Sequence, residues 1–239
     1  MAEEAGSEGQ VVMPFYIICD VSGSMCGDMV ALNQGVADLQ KEIMQDPVAD
    51  DLVMLSVISF DDTARTVVPL DFPTAIKLKP LTCGGLTNYT AAFREFHRAF
   101  EADRTRLRGE GKKVFRPCVF FLSDGEPTVN DYQQVFKQLF GYDPATKQGN
   151  KAYPYVTPFG FRDATAATME AIAYPDFGEK KGRYFLAKQG ASVAQLLKEM
   201  TGVIANSVLS SGRSVGSGSA QFVPPATNSM SDMEGSFVD

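Results

Sequence analysis

The chain has 239 residues, a net charge of −7, one histidine and four cysteines. Its apolar fraction of 44% is ample for a large core, and the negative balance excludes the basic footprint of nonspecific nucleic-acid binding. No run approaches the roughly 18 uninterrupted apolar residues of a membrane span. Met1–Gln10 is acidic and Gly-rich, without the basic start and apolar segment of a signal peptide. These features predict a cytoplasmic protein with no membrane contact and a disordered lead-in over residues 1–10.

Val11 to Asp20 reads as the first strand. Pro14 sits near its start, where a missing N–H is tolerated. The near-continuous apolar run Phe15–Cys19 suits a strand buried on both faces, as in parallel sheets. From Asp28 to about Gln45, Met29, Leu32, Val36, Leu39 and Ile43 recur at three- and four-residue steps, one buried helical stripe. Asp46-Pro47 ends that helix. Leu52–Phe60 is a second strand, Asp61-Asp62 a solvated turn, and Ala64–Val68 an antiparallel return. No EF-hand spacing follows the two aspartates.

A helix runs from about Tyr89 to Arg108 with Phe93, Phe96 and Phe100 as its core stripe. His97 borders that stripe without a catalytic partner in sequence. Arg104, Arg106, Arg108, Lys112 and Lys113 form a basic run at the helix end, where positive charge is favourable; it reads as a solvated end or as a partner surface. Val114–Ser123 is a buried central strand, followed by a helix around Asp131–Phe140 and a polar loop, Gly141–Lys151. Tyr153–Phe159, interrupted by prolines, reads as a strand near an edge. Arg162–Ala173 is a helix of good formers, Arg183–Ala187 the last strand, and Ser192 to about Val208 the last helix. Ser210–Asp239 is rich in Gly, Ser, Pro and Asn and is predicted disordered, for want of apolar surface to offset ordering entropy. It is an inert tail or a docking or phosphorylation segment, with serines beside Asp232 and Glu234.

The chemistry concentrates at the end of the first strand. Asp20, Ser22 and Ser24 put three oxygen donors within five residues, at the carboxyl end of a strand, where open α/β sheets bind ligands. A hard cation such as Mg²⁺ takes oxygen ligands in near-octahedral geometry and keeps several waters. One carboxylate and two hydroxyls leave a divalent ion electropositive, so it would seek an outside anionic ligand. The amino end of the following helix would face the same place, where its amides can help hold an anion.

Asp20-x-Ser22-x-Ser24 resembles the metal-ion-dependent adhesion site of von Willebrand factor A domains. That site has two further parts, a threonine in a later loop and an aspartate ending a later strand. Gly84-Gly85-Leu86-Thr87 and Phe121-Leu122-Ser123-Asp124-Gly125 match them in order. The glycines permit close backbone approach and positive φ. Thr87 is the preferred ligand and Thr90, one turn into the next helix, the competitor; Thr87 or Asn88 can also cap that helix. The likeness covers roughly residues 11–209. It is similar above all to the bacterial TerY-type proteins of tellurium-resistance and related stress gene clusters, through Pro14–Asp20, Ala31-Leu32-Asn33-Gln34-Gly35, Val57-Ile58-Ser59-Phe60, Leu122–Thr128 and Pro158–Ala164.

The resemblance implies an α/β, doubly wound, mostly parallel six-stranded sheet with one antiparallel edge strand and helices on both faces. It implies a Mg²⁺ or Mn²⁺ site and no catalysis by the domain. Ser22 and Ser24 would bind the metal directly, Asp20 and Asp124 largely through water, and Thr87 either way. One position would stay open for an Asp or Glu of a protein partner. Some members work beside a protein kinase and a PP2C-type phosphatase. Two residues depart from the pattern: Leu86 stands before Thr87 where relatives often run glycine into threonine, and Val129 follows Pro127-Thr128 where they often place an acid.

The four cysteines have no CxxC spacing, and with one histidine a zinc site would need mostly Cys ligands. Cys19 and Cys118 lie in apolar runs and read as small buried hydrophobes. Cys26 and Cys83 fall in the two loops expected at the metal and read as unpaired thiols of a reducing compartment or as a redox pair. A protein-interaction module is therefore expected rather than an enzyme. The haloacid-dehalogenase pattern needs a second aspartate where Ser22 stands, and the chain has no P-loop, no GxGxxG after a strand and no GxSxG elbow. An extracellular adhesin conflicts with unpaired cysteines and a missing signal peptide. A substrate-recruiting partner of an AAA+ ATPase fits the same residues.

Overall fold

The structure, a computed structural model, describes residues 9–188, 190–216, 218 and 221–238. The expected disorder of residues 1–8 lies outside the described residues. Gln10 is tied down, its carbonyl accepting from the Lys113 amide at 2.9 Å.

In chain order, β1 (Val11–Asp20) leads through a 3-10 turn, Gly23–Asp28, into α1 (Met29–Met44) and the short α2 (Pro47–Asp50). β2 (Val53–Phe60) and β3 (Ala64–Asp71) form a hairpin, and a long loop reaches α3 (Tyr89–Gly109). Next come β4 (Lys113–Val114), β5 (Cys118–Ser123), α4 (Tyr132–Phe140) and a small hairpin, β6 (Tyr142–Asp143) with β7 (Gln148–Gly149). β8 (Tyr155–Gly160), α5 (Ala166–Ile172), β9 (Arg183–Ala187), α6 (Val193–Gly216) and β10 (Met233–Phe237) complete the chain.

The expected frame is present. The main sheet runs β10-β9-β8-β5-β1-β2-β3, with β4 beside β1. β2, β1, β5, β8 and β9 pair in parallel, and β3 returns antiparallel on β2 at one edge. Alternation along β1 explains the layers. Phe15, Ile17 and Cys19 face one core, with Leu32, Val36 and Leu39 of α1 and Leu196, Met200 and Ile204 of α6. Val12, Tyr16 and Ile18 face the other, with Phe93, Phe96 and Phe100 of α3, Phe136 of α4 and Met169 of α5. Successive strand residues point to opposite faces, so an all-apolar strand requires helices on both sides. The second face is the more aromatic: Tyr16 meets Phe96 edge-on at 5.0 Å, and Phe93 meets Phe136 at 5.0 Å.

Several expectations need correction. The described residues of Ser210–Asp239 are ordered, against the predicted disorder. The helix predicted to end near Val208 continues to Gly216, and residues 233–237 add β10 antiparallel to β9, so both sheet edges are antiparallel. Composition misleads because the tail completes surfaces already built. Met230 and Met233 enter the first core, Ser211 Oγ accepts from the Val223 amide at 2.9 Å, and Glu199 accepts from the amides of Ser231 and Asp232. β8 is interior rather than near an edge. Its Pro158 is tolerated because β9 pairs only with Phe159 and Gly160, while Val156 bonds outside the ladder, to Tyr174.

The helix predicted over Arg162–Ala173 starts only after Thr165, whose hydroxyl accepts from the Thr168 amide. The strand predicted over Val114–Ser123 splits at Pro117 into β4 and β5. The basic run at the end of α3 is largely paired within itself: Arg104 with Glu101, Arg106 with Asp103 and Glu110, and Lys112 with Glu110. That pairing favours the solvated helix end over a partner surface.

Burying a methionine side chain stabilises by about 2 kcal/mol, and about 1 kcal/mol moves the Tm of a domain this size by roughly 2–4 °C. A chain ended after residue 216 is therefore expected to melt at least about 8 °C lower than the full chain by differential scanning calorimetry; an unchanged Tm would return the tail to the disordered state.

Candidate metal centre

Four loops converge at the carboxyl ends of β1, β2, β5 and β8, and main-chain hydrogen bonds stitch them together. The Val21 amide donates to Phe60 O at 2.9 Å, Gly84 N to Val21 O at 2.8 Å and Gly23 N to Gly85 O at 3.0 Å. Thr128 N donates to Thr87 O at 2.8 Å, and Asp163 N to Asp124 O at 3.0 Å. Gly85 has φ +71°, and a Cβ built there would lie 2.4 Å from Asp62 Oδ2. Only glycine meets both conditions. The Asp61-Asp62 turn, expected to be merely solvated, thus packs against the Thr87 loop, and Asp61 O accepts from the Asn88 amide at 3.0 Å.

The structure joins Asp20, Ser22, Ser24 and Asp124 in one hydrogen-bonded cluster. Asp20 Oδ1 accepts from the Ser22 amide at 2.9 Å, and Oδ2 from Ser123 Oγ at 2.6 Å. The hydroxyls of Ser22 and Ser24 hydrogen-bond at 3.1 Å, and Ser24 Oγ donates to Asp124 Oδ1 at 2.9 Å. Both carboxylates are about 1% exposed. Burial, and then the nearby Asp124 charge, raise the Asp20 pKa despite its hydrogen bonds to Ser123 and Ser22.

Thr87 is buried in the neighbouring loop, and its hydroxyl makes no hydrogen bond among the described residues. Thr90 is occupied elsewhere, donating to Asp131 Oδ1 at 2.6 Å. Asn88, not Thr87, caps α3, accepting from the Ala91 amide at 3.0 Å. α1 begins at Met29 after the 3-10 turn Gly23–Asp28, one residue from the expected start, and its N-cap Asp28 pairs with Arg162, which also bonds Asp124 and Ser24.

The donor set fits a hard divalent cation. Asp20, Ser22, Ser24, Thr87 and Asp124 all offer oxygen, the donor type that Mg²⁺ and Mn²⁺ take. Bound there, a metal supplies Lewis-acid attraction for an anionic ligand. No three His, Cys, Asp or Glu side chains cluster among the described residues, so a cation held here would have to draw on the serine hydroxyls beside Asp20 and Asp124.

Two features at the centre depart from the sequence reading. Cys26 and Cys83 form a disulfide between the 3-10 turn and the Thr87 loop, across 57 residues. This corrects the reading of these two as unpaired thiols; Cys19 and Cys118 are free and buried as expected. Burial, and then Asp20, push the Cys19 thiol up to about 12, so it is inert. The second feature is Arg162, expected within a helix but found in the loop after β8. Its guanidinium donates to Asp124 Oδ2 at 2.6 Å and to Ser24 O at 2.9 Å, and pairs with Asp28. The convergence of Cys26 and Cys83 on two site loops was the available signal for the first; nothing in the local pattern signalled the second.

Residues 15–126, which include all five candidate ligands, match the von Willebrand factor type A domain family. No curated protein matches the sequence. Among solved structures, proximal thread matrix protein 1 of the mussel byssus, with a zinc-occupied MIDAS motif, superposes with a TM-score of 0.55 at 14% identity, over 84% of this chain and 48% of that one. A von Willebrand factor type A protein from Catenulispora acidiphila gives 0.55 at 17% identity, over 81% and 42%. The pilus adhesin SpaC of Lactobacillus rhamnosus GG, in its open conformation, gives 0.55 at 16% identity, over 84% and 31%. This chain spans less than half the length of each, and at these identities the likeness is one of fold. The family match over residues 15–126 and the fold built around it agree: this part of the chain is similar to von Willebrand factor type A domains in sequence, and the chain is similar to them in fold.

Proposed function

We propose that the chain is a metal-dependent protein-interaction module. A Mg²⁺ or Mn²⁺ ion held by Asp20, Ser22, Ser24, Thr87 and Asp124 takes an Asp or Glu side chain of a partner as its outside ligand. The observation that carries this is the single cluster of two buried carboxylates and two serine hydroxyls. Leu86, next to Thr87, is 59% exposed and gives the rim an apolar contact for residues flanking that acid. The domain itself performs no catalysis in this reading. The finer role, beside a protein kinase and a PP2C-type phosphatase in a TerY-type stress system, rests on the motif resemblance. Gene neighbours distinguish it from a recruiting role beside an AAA+ ATPase.

A second reading is favoured by one observation. The Cys26–Cys83 disulfide belongs in an oxidising compartment, which supports an adhesive role outside the cytoplasm and weighs against the cytoplasmic expectation. Metal-dependent capture of an acidic partner is common to both readings.

The test is a pull-down with tagged protein in Mg²⁺, in EDTA, and with Ser22→Ala/Ser24→Ala in Mg²⁺. A partner lost in the second and third arms is the expected result, whereas one retained in all three would move the binding surface off the metal. The disulfide is tested separately. Closing a loop of this length is worth about 4 kcal/mol in the chain-entropy estimate, so Cys26→Ser/Cys83→Ser is expected to lose stability of that order in urea unfolding. If the native protein instead carries four thiols reactive with maleimide after unfolding, the disulfide and the extracytoplasmic reading both fall.

A further inference from the structure

We propose that Arg162 is a resident cation that sets the affinity of the centre for its metal. The inference rests on the metal reading above and concerns a residue outside the proposed ligand set. Its guanidinium is hydrogen-bonded to Asp124 Oδ2, to Ser24 O and to Asp28. Two of those contacts are to residues of the candidate centre itself. The guanidinium therefore brings a full positive charge to the carboxylate that a divalent ion would share.

The placement is specific. Arg162 has φ +53°, a left-handed conformation that side chains other than Gly, Asn and Asp seldom adopt. Its neighbours hold it there: Phe161 N donates to Ser123 O at 3.1 Å and Asp163 N to Asp124 O at 3.0 Å, locking the loop onto the end of β5. Backbone strain of this kind persists where the surroundings over-determine it, and it clusters at functional sites. Here it coincides with a side chain turned back across two loops into the centre. The charged groups facing the guanidinium are Asp124, whose side chain is 0% exposed, and Asp28, at 15%. An arginine stays protonated throughout the accessible pH range, so this charge cannot be removed by titration.

The consequence has a sign. Two cations near one buried carboxylate repel, and the repulsion is strong where water is largely excluded. Arg162 thus lowers metal affinity while holding Asp124 and Ser24 in place. A purely structural residue would do the reverse, because its loss would loosen the ligands and weaken binding.

The test is Mn²⁺ titration by isothermal calorimetry, with free Mn²⁺ followed by electron paramagnetic resonance. The proteins are wild type, Arg162→Met, Arg162→Gln, Arg162→Lys and Ser22→Ala/Ser24→Ala. Arg162→Met is expected to bind Mn²⁺ at least tenfold tighter than wild type. Arg162→Gln, which keeps donors but no charge, should tighten similarly, and Arg162→Lys should stay within about threefold of wild type. The Gln variant also decides the matter if the Met variant does not fold. Unchanged or weaker binding by both neutral variants, with normal binding by wild type, would overturn the role of Arg162 and leave the metal reading standing. Failure of wild type and both neutral variants to bind Mn²⁺, or equal binding by Ser22→Ala/Ser24→Ala, would overturn the metal reading and this inference with it.

Discussion

Asp20 and Asp124 are buried carboxylates at the carboxyl ends of β1 and β5, two strands paired in parallel. Burying one charge is costly unless it is paired and hydrogen-bonded, and two like charges in one cleft cost more. Much of the local architecture compensates them. Ser22, Ser24 and Ser123 supply donors, and Arg162 supplies a positive charge. The raised pKa of Asp20 shows that this compensation is incomplete, burial being the larger cause and Asp124 a further one. A pair of carboxylates kept in such a place, ringed by hydroxyls, is suited to a cation.

The rest of the fold holds that pair in position. β1 is fixed by β2 on one side and β5 on the other, in register over most of its length. Its alternate side chains anchor both cores, so neither face can slide without disrupting the other. Above the sheet, the 3-10 turn after Ser22 and the loop before Thr87 are joined by two main-chain hydrogen bonds and by the Cys26–Cys83 disulfide. The candidate ligands, from distant parts of the sequence, are thus brought to one place by rigid elements, the arrangement a precise binding site needs.

Much of this was legible in the sequence, for stated reasons. The apolar run Phe15–Cys19 announced a strand buried on both faces, and the spacing of Leu32, Val36 and Leu39 announced the helix covering one of them. Asp20, Ser22 and Ser24 were legible because three oxygen donors crowd into five residues after that strand. What escaped depended on tertiary context. The tail looked disordered because composition counts its few apolar residues without knowing that the edge of β9 lies open to receive them. Arg162 looked helical because its neighbours are good helix formers, yet the loop is held by hydrogen bonds to the end of β5, a partner far away in sequence. Cys26 and Cys83 read from sequence as unpaired thiols, because two cysteines on converging loops fit either redox state until the loops are placed.

The central claim is that the hydroxyls and carboxylates at the ends of β1 and β5 form one divalent-metal site. The most direct measurement is an anomalous difference map from crystals grown with Mn²⁺. The account predicts a peak bounded by Ser22, Ser24 and Thr87, with Asp20 and Asp124 in direct or water-mediated contact. A well-diffracting crystal with no peak there, or with Mn²⁺ bound only at unrelated surface carboxylates, would contradict it.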